Sequence, residues 1–396
     1  MREDGSKQKV LLMDWPAFGI ESIKRVLPQM GYDVELFAFP YDSGTRYEEA
    51  LGIRIAERIL ESGADLIFSF NFFPVIAAAA HACRKKYISW IYDSPAVMLY
   101  SMSVFFPENY IFHFDSEEVE RMRRDGVENV FYMPLAADVE HYDRMIPEEM
   151  QKRKYDADVA MIGSMYREDK FRIFRKYEIK EPYVKGYLDA LVAVQEQLYG
   201  VDVLEPGLTP GIMKRILQTV PLKESSSDSY ETPAWTYANY YLAKQVTTEE
   251  REHLLRALSE KMQVALYTPQ KTPYLSDVEN RGSVDYYREA PYAIKCARIN
   301  LNITLRSIHR GIPQRVMDIL GCGGFLLTNY QADLCDAFEM GKDFVCYESI
   351  PHAVELAGYY LEHAKERQQI AANGYRKVKE QHNFVLKLGQ IMKLTE

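Results

Sequence analysis

The first 136 residues alternate short apolar runs with segments of helical periodicity, and this alternation restricts the fold more than any other feature of the chain. Short apolar runs bounded by turns and separated by helices are typical of a parallel β-sheet covered on both faces. We therefore predict an α/β fold that begins with a Rossmann-like domain. The predicted strands are KVLLMD (9–14), DVELFAF (33–39), DLIFSF (65–70), YISWIYD (87–93), YIFHFD (110–115) and NVFYMPLA (129–136).

The same pattern restarts at DVAMIGS (158–164), which indicates a second Rossmann-like domain. A chain of 396 residues is long enough for two domains of roughly 100–200 residues each. The segment from about 168 to 261 is almost wholly helical, and we interpret it as an insertion between the first two strands of the second domain. The remaining predicted strands are QVALYT (263–268), RINLNIT (298–304), GFLLTN (324–329) and FVCYES (344–349).

These patterns define the predicted domain boundaries. The N-terminal domain covers residues 1–140, a linker lies near 137–156, and the C-terminal domain covers 157–381. The last segment, 382–396, is short and amphipathic, and we expect it to form a helix that packs back on the first domain.

Composition excludes several classes of partner. The net charge of -9 does not attract duplex nucleic acid or an anionic membrane surface, so we expect no nucleic-acid partner. The five cysteines are scattered without C-x-x-C spacing, which argues against a disulfide framework and fits a reducing cytoplasm. The most apolar stretch, 66–83, is interrupted by Asn71 and Pro74 and is shorter than the roughly 20 apolar residues of a membrane span. We expect it to be a buried strand followed by a helix, with no transmembrane segment in the chain.

An arginine-rich stretch, LNITLRSIHRGIPQRVMDILGCGGFLLTN (301–329), predicts a site for an anion. Proline is favoured in the first turn of a helix, so we expect a helix from about Ile312 to Leu320. Its free N–H groups, flanked by Arg306, Arg310 and Arg315, would attract a phosphate. The following GCGG we interpret as a tight turn between helix and strand, since it lacks both phosphate-binding glycine patterns.

Asp318 lies one helical turn beyond Arg315, and a carboxylate there could accept both hydroxyl groups of a ribose. A phosphate at the helix start and a ribose one turn along together describe a nucleoside diphosphate. The alternative is a surface helix with solvated arginines, in which Asp318 pairs with Arg315.

Two aspartates follow strands of the first domain and are candidate general bases. Asp93 ends a strand in SWIYDSP, and Asp14 does so in MDWPAF, so both belong to the edge where parallel sheets bind ligands. Asp93 could instead cap a following helix through Ser94-Pro95. His113 alternates with phenylalanines on a strand, which favours a buried structural histidine. His309, beside the arginines, could contact a phosphate.

One motif points towards a metal but stands in the wrong place. The sequence Asp156-Ala157-Asp158 matches the D-x-D pattern that binds a divalent metal on a sugar diphosphate, but it precedes a strand instead of following one. We therefore predict no metal at this motif, since a helix N-terminus and arginines can supply the positive charge. The sequence contains no pair of histidines with H-x-x-x-H spacing, so it does not suggest a zinc site.

Six stretches spread over nearly the whole chain carry a resemblance to a known family, namely INLNITLRSIHRGIPQRVMDILGCGGFLLTNYQADLCDAF, YYLEHAKERQQIAANGYRKVKEQH, SWIYDSP, MPLAADVEHY, DVAMIGSMYR and VALYT. The resemblance is to the CgeB-like (spore maturation protein) glycosyltransferases of the two-domain GT-B class. It implies two Rossmann-like domains facing across a cleft, with a nucleotide-sugar donor held by the second domain and an acceptor by the first.

The resemblance also implies site residues. Asp318 corresponds to the acidic residue on the family's donor helix, which is often a glutamate and therefore one methylene longer. The other donor-binding candidates are Gly163 and Ser164 after the first strand of the second domain, Tyr267 and Thr268 at the base, Asn302 and Thr304 on the strand before the anion site, and Arg306, Gly311, Ile312 and Arg315 around it.

The predicted activity is therefore transfer of a sugar from a nucleotide-diphosphate donor, with a UDP-sugar favoured, to an acceptor hydroxyl. The acceptor could be a polysaccharide, a protein or a small molecule, and we expect neither a metal nor another cofactor. Two alternatives to a glycosyltransferase remain. One is a nucleotide-sugar epimerase of the same fold, and the other is a non-catalytic protein that binds nucleotide sugars as part of a spore or surface structure.

Overall fold

The computed structural model describes residues 7–40, 46–176, 179, 181–222 and 228–396. They divide into two compact units. The described residues of unit 1 are those up to Asp138, 228–231 and His382–Glu396, and those of unit 2 are 139–222 and Thr232–Gln381.

Unit 1 contains a six-stranded parallel sheet in the order β2-β1-β3-β4-β5-β6. Its strands are β1 (Lys9–Asp14), β2 (Asp33–Ala38), β3 (Leu66–Phe70), β4 (Lys86–Ile91), β5 (Asn109–His113) and β6 (Val130–Tyr132). Its helices are α1 (Ile20–Gln29), α2 (Glu49–Ser62), α3 (Pro74–Ala82) and α4 (Ser116–Arg124), with 3-10 turns at Val97–Tyr100 and Met102–Phe105.

The central strands are apolar throughout because helices cover both faces of a parallel sheet. All five residues of β3 are buried, and so are five of the six residues of β4. Parallel strands expose their carboxyl ends at one edge, so the residues after β1, β3 and β4 share that edge of unit 1.

Unit 2 contains a second six-stranded parallel sheet, in the order β12-β11-β10-β7-β8-β9. Its strands are β7 (Ala157–Ile162), β8 (Val264–Tyr267), β9 (Glu279–Asn280), β10 (Ala297–Asn302), β11 (Leu326–Asn329) and β12 (Val345–Tyr347). Two helices precede β7, namely α5 (Val139–Arg144) and α6 (Glu149–Tyr155).

The segment between β7 and β8 is a helical insertion with its own apolar core. It contains a 3-10 turn (Asp169–Phe171), α7 (Ile173–Lys176), α8 (Pro182–Gln197), α9 (Leu204–Gly207), α10 (Pro210–Thr219), α11 (Pro233–Trp235), a π-helical stretch (Thr236–Leu242) and α12 (Ala243–Ser259). Val184, Leu188, Ile216 and Leu242 are among its buried residues.

The remaining helices follow the later strands of unit 2 or end the chain. They are α13 (Ala290–Cys296), α14 (Gln314–Gly321), α15 (Ala332–Ala337), α16 (Ile350–Glu362), α17 (Ala364–Gln381) and α18 (Phe384–Thr395). Helix α18 belongs to unit 1, where the Phe384 ring lies 5.9 Å from that of Trp90. Among the described residues, none of the helices is both long enough and apolar enough to cross a membrane.

The predicted strands are all present, with ends that differ by at most four residues. The stretch 66–83 is a buried strand followed by a helix, as predicted, and GCGG turns from α14 into β11 with Gly323 at φ 75°. The two-residue strand β9 was not predicted, because two polar residues carry no periodicity. The predicted linker region contains α5 and α6, so most of it is helical.

Candidate functional site

The loop after β7 brings two predicted site residues into contact. A Cβ atom added to Gly163 would lie only 2.4 Å from Nη2 of Arg315, on the first turn of α14. The backbone N–H of Gly163 donates to the carbonyl of Tyr267 across the neighbouring strand, at 3.0 Å. The guanidinium of Arg315 therefore reaches the β7 loop only because residue 163 has no side chain.

The guanidinium of Arg315 bonds to a neutral group. In the part of the chain that the structure describes, its hydrogen bond goes to the neutral Oδ1 of Asn302, at 2.9 Å, and it forms no ion pair, although the negative charge of Asp318 acts on it from a longer distance. Burial, followed by the positive charge of Arg251, lowers the pKa of Arg315 to about 10. Two neighbouring guanidinium groups destabilise each other unless an anion lies beside them.

Arg251, on α12, is the site residue that sequence reasoning missed. Its side chain is buried, and it donates to the carbonyls of Ser164 and, at 2.6 Å, Ile303. Its guanidinium carbon lies 5.0 Å from the centre of the Tyr166 ring. The Nε atom is buried without a hydrogen-bond partner among the described residues. Arg251 thus holds the loops after β7 and β10 together, and no local motif marks it.

Two polar side chains near the end of β10 orient Arg315. Asn302 is fully buried, and its amide donates to the hydroxyls of Thr304 and Thr328, at 2.9 and 2.8 Å. These two bonds set the amide orientation that presents Oδ1 to Arg315. The Thr304 N–H donates to Oδ1 of Asn329, at 3.0 Å, so the backbone beyond the strand is held as well.

Helix α14 begins later than predicted. Pro313 is its N-cap, with an extended ψ of 152°, and the first helical residue is Gln314 instead of Ile312. The predicted site residues Gly311 and Ile312 are buried in the loop that enters the helix. The shift follows from Pro313 acting as the last extended residue before the helix instead of as its first helical one.

Asp318 lies one turn into α14, 8% exposed, and a single oxygen accepts three hydrogen bonds. Tyr142 donates to its Oδ1 at 2.7 Å, Gln314 at 2.8 Å and Tyr286 at 3.0 Å. Burial raises the pKa of Asp318 to about 6, although these donors act in the opposite direction. The alternative in which Asp318 pairs with Arg315 is not what the structure shows, because no hydrogen bond or ion pair joins them in the described chain.

The end of β8 and the loop after it contain Tyr267 and Thr268, the residues predicted to contact the nucleotide base. Beyond its carbonyl bond to Gly163, Tyr267 accepts a hydrogen bond from Arg281 through its hydroxyl, at 3.2 Å. Thr268 is buried and donates to Oε1 of Gln270, which also accepts from the N–H of Met165. A cavity of about 590 Å³ begins at Thr268 and extends along this loop.

Arg306, which was predicted to bind the phosphate, does not lie with Arg315 in this site. All three nitrogens of its guanidinium donate within the fold, to the carboxylate of Glu250 and to the carbonyls of Glu196 and Leu198. Glu250 is fully buried. A phosphate contact of Arg306 would require breaking this buried ion pair, so the structure assigns Arg306 a stabilising role. His309 contacts Oδ1 of Asn239, at 3.1 Å.

In unit 1, Asn71 holds the loop that carries Asp93. Its amide nitrogen donates to Oδ2 of Asp93 at 2.7 Å, and its amide oxygen accepts from the N–H groups of Tyr92 and Asp93. Asn71 has a left-handed backbone with φ 54°, which is uncommon outside glycine. Asp93 itself is exposed. The next helical turn has Ala96 as its N-cap, so Asp93 does not cap it.

Asp14, the second candidate for the general base, forms an ion pair with Lys24 at 2.7 Å.

His113 and Asp158, which the sequence analysis also considered, have structural partners. His113 is buried, and its Nδ1 accepts from the N–H of Asp115, while burial lowers its pKa to about 4. Asp158 of the D-x-D motif lies at the amino end of β7, where it pairs with Arg298 and accepts from the N–H of Gln263.

Comparisons with known proteins agree with this architecture. Residues 249–393 match the sequence profile of a family described as glycosyl transferase-like. The chain has the GT-B fold. The matched segment includes Arg251, Arg315 and Asp318, whereas Gly163 and Asp93 lie outside it.

Three solved structures share the fold over nearly the whole chain at low sequence identity. A sucrose-phosphate synthase of Thermosynechococcus elongatus is 10% identical with a TM-score of 0.57, and each chain is covered to 98%. A glycosyltransferase of Rickettsia africae is 8% identical with a TM-score of 0.52, again with 98% of each chain covered. HepE of Anabaena in complex with UDP-glucose is 12% identical with a TM-score of 0.51, covering 97% of this chain and 98% of HepE. No curated protein matches in sequence.

Proposed function

We propose that this chain is a glycosyltransferase that moves a sugar from a nucleoside-diphosphate donor, with a UDP-sugar favoured, to a hydroxyl group of an acceptor. The observation that carries the proposal is Arg315, which lies against Gly163 beside a second arginine and, among the described residues, forms no ion pair. A diphosphate between these guanidinium groups and the start of α14 would offset their repulsion. The UDP-glucose bound in the structurally similar HepE supports this class of ligand.

The ribose is assigned to Asp318. Three donors already occupy its Oδ1, so the ribose hydroxyls would bond mainly to Oδ2. The base is assigned to the loop of Tyr267 and Thr268, whose backbone lies next to Gly163. Asn302 and Thr304 act by orienting Arg315 and its surroundings, and Ser164, Gly311 and Ile312 provide the backbone around the diphosphate.

During transfer, the bond between the anomeric carbon and the diphosphate oxygen breaks while the acceptor oxygen bonds to that carbon. The negative charge that develops on the diphosphate is stabilised by Arg315 and the N–H groups at the start of α14, a preorganised electrostatic effect of several kcal/mol. These groups supply the positive charge without a metal ion. Asp93 takes the proton of the acceptor hydroxyl, and Asp14, already paired with Lys24, is the second choice.

The finer features of the proposal come from the sequence resemblance. We assign the chain to the CgeB-like glycosyltransferases and to the cytoplasm, and the acceptor, a polysaccharide, a protein or a small molecule, to unit 1. No other cofactor is invoked.

Donor binding tests the proposal directly. Calorimetry with UDP-, GDP-, dTDP- and CDP-sugars should give one preferred donor, and Arg315→Ala and Asp318→Ala should each weaken its binding at least tenfold. Arg298→Ala is the matched control, because Arg298 lies at the amino end of β10 and pairs with Asp158. Wild-type affinity in both site variants would refute the placement of the donor.

Product analysis then separates the reaction classes. Transfer to an acceptor with release of the nucleoside diphosphate is expected, with unchanged rates in EDTA. An altered free nucleotide sugar formed without an acceptor would indicate an epimerase, and donor binding without turnover would indicate a binding protein. Loss of activity in EDTA would refute metal independence.

A further inference from the structure

An aromatic cluster covers the carboxyl edge of the sheet in unit 1. The ring of Tyr92 stacks with Trp15 at 6.2 Å and contacts Phe18 edge-on at 5.8 Å. Phe70 lies 5.6 Å from Tyr92, and Phe73 lies 5.7 Å from Trp15. These residues follow or end β1, β3 and β4, so three neighbouring strands contribute to one aromatic surface.

The outer ring of this surface is open to solvent. Phe18 is 50% exposed, whereas Trp15 and Phe73 of the same cluster are buried. A single exposed phenylalanine is ordinary on a protein surface. This one contacts the ring of Tyr92 edge-on, and Tyr92, the residue immediately before Asp93, stacks in turn on the buried Trp15.

The polar groups beside the rings identify the ligand class. Asp93 is exposed and held by the left-handed Asn71, and Asp14 with Lys24 lies next to Trp15 in the chain. A lipid chain would gain nothing from these charges, which it would desolvate. A pyranose ring has an apolar C–H face for aromatic side chains and hydroxyl groups at its rim, so it can use the rings and the carboxylate together.

We propose that the acceptor of this glycosyltransferase is a carbohydrate, with one sugar ring stacked on Phe18 and Tyr92 and a hydroxyl group of that ring bonded to Asp93. This inference rests on the proposed function, because it specifies the acceptor of the same reaction. Of the three acceptor classes, a polysaccharide, a protein and a small molecule, it selects the carbohydrate. Transfer to a protein or to a non-carbohydrate small molecule is then a possible outcome of the test.

The test is carbohydrate binding by the full chain in the presence of UDP. Screening on a printed glycan array, followed by calorimetry with the strongest glycan, should identify a ligand. Phe18→Ala should weaken it about tenfold or more, and Phe18→Tyr should retain most of the affinity. Phe105→Ala is the matched control, since Phe105 is 37% exposed in the same unit but precedes the amino end of β5.

The outcomes separate this inference from the proposed function. If UDP-glucose binds but no arrayed glycan does, or if Phe18→Ala binds the glycan as wild type does, the carbohydrate site is refuted while the donor site stands. Transfer to a protein side chain or to a non-carbohydrate small molecule as the preferred acceptor would also refute it. If glycans bind through Phe18 but no nucleotide sugar binds, the proposed donor function fails and the carbohydrate site stands.

Discussion

The guanidinium of Arg315 occupies the space in which residue 163 would carry a side chain, 2.4 Å from the position of a Cβ atom on Gly163. This contact joins the loop after β7 to the first turn of α14, although the two residues are far apart in sequence. The proposed anion site would therefore depend on the absence of a side chain at residue 163.

Gly163→Ala should displace Arg315 and weaken UDP binding about tenfold or more, because the added Cβ would force the guanidinium away from the β7 loop. Calorimetry with UDP measures the loss. Gly186→Ala is the control, since Gly186 lies inside α8 with open space around its Cα, and it should raise the free energy of unfolding by about 0.5–1 kcal/mol with UDP binding unchanged. Wild-type UDP affinity in Gly163→Ala would contradict the role of this contact.

Replacing Arg251 and replacing Arg315 should change the free energy of unfolding in opposite directions. Arg251→Met should lower the free energy of unfolding by about 2–4 kcal/mol, because the carbonyls of Ser164 and Ile303 lose a buried donor. Arg315→Met should raise it by about 1 kcal/mol in the absence of ligand, because a destabilised charge disappears. Urea unfolding without nucleotide measures both changes. Equal destabilisation by the two variants would mean that Arg315 is structural.

Donor binding should weaken as the pH falls through about 6. The pKa of Asp318 is raised to about 6, and the protonated carboxyl is a poorer acceptor for ribose hydroxyls. UDP affinity measured between pH 5 and 8 should therefore rise with pH, and Asp318→Asn should have a lower affinity with a much weaker dependence over this range. An identical pH profile in the variant would exclude Asp318 as the titrating group.

The same carboxyl should affect stability with the opposite sign. Its folded pKa lies above the unfolded value near 3.8, so the folded state binds the proton more tightly. The stability it contributes is fully present below about pH 4 and is lost as the pH rises through 6. Asp318→Asn should therefore be more stable than wild type at pH 8, by about 1–3 kcal/mol, with little difference at pH 4. Thermal unfolding at the two pH values measures this, and lower stability of the variant at pH 8 would contradict it.

Arg306 should be required for folding and not for donor binding. Arg306→Met leaves the buried Glu250 without its charged partner and should cost about 3–5 kcal/mol of unfolding free energy. Arg306→Met combined with Glu250→Gln should recover part of this loss, which a double-mutant cycle measures. UDP affinity of the double variant should match that of wild type. Weak UDP binding in a well-folded double variant would restore Arg306 to the phosphate site.

Asp93→Asn should reduce turnover by about 10²–10⁴-fold with unchanged UDP-sugar affinity, because asparagine cannot accept the acceptor's proton. Steady-state transfer rates and donor titrations measure the two effects separately. Asp14→Asn is the comparison, and a larger loss there would reverse the order of the two carboxylates. Unchanged turnover and pH profile in Asp93→Asn would exclude it as the base.

Local pattern was sufficient to predict eleven of the twelve strands in the described residues, both parallel sheets and the position of the helical insertion. Strands buried on both faces must be apolar, and the helices between them must have one apolar face, so these elements are visible in short windows of sequence. The sequence also placed Gly163 and Arg315 separately among the donor-binding candidates, because both follow neighbouring parallel strands at their carboxyl ends, but it did not predict their contact.

Side-chain partners could not be predicted in this way. Arg306 and Arg315 look alike in sequence, yet Arg306 pairs with Glu250 from α12, whereas Arg315 donates its hydrogen bond to the neutral amide of Asn302. Tyr142 donates to Asp318 across 176 residues, and Arg251 reaches Ser164 across 87. Periodicity reports which face of an element is buried, but the charge and hydrogen bonds of a site depend on which distant side chains meet there, and packing alone determines that.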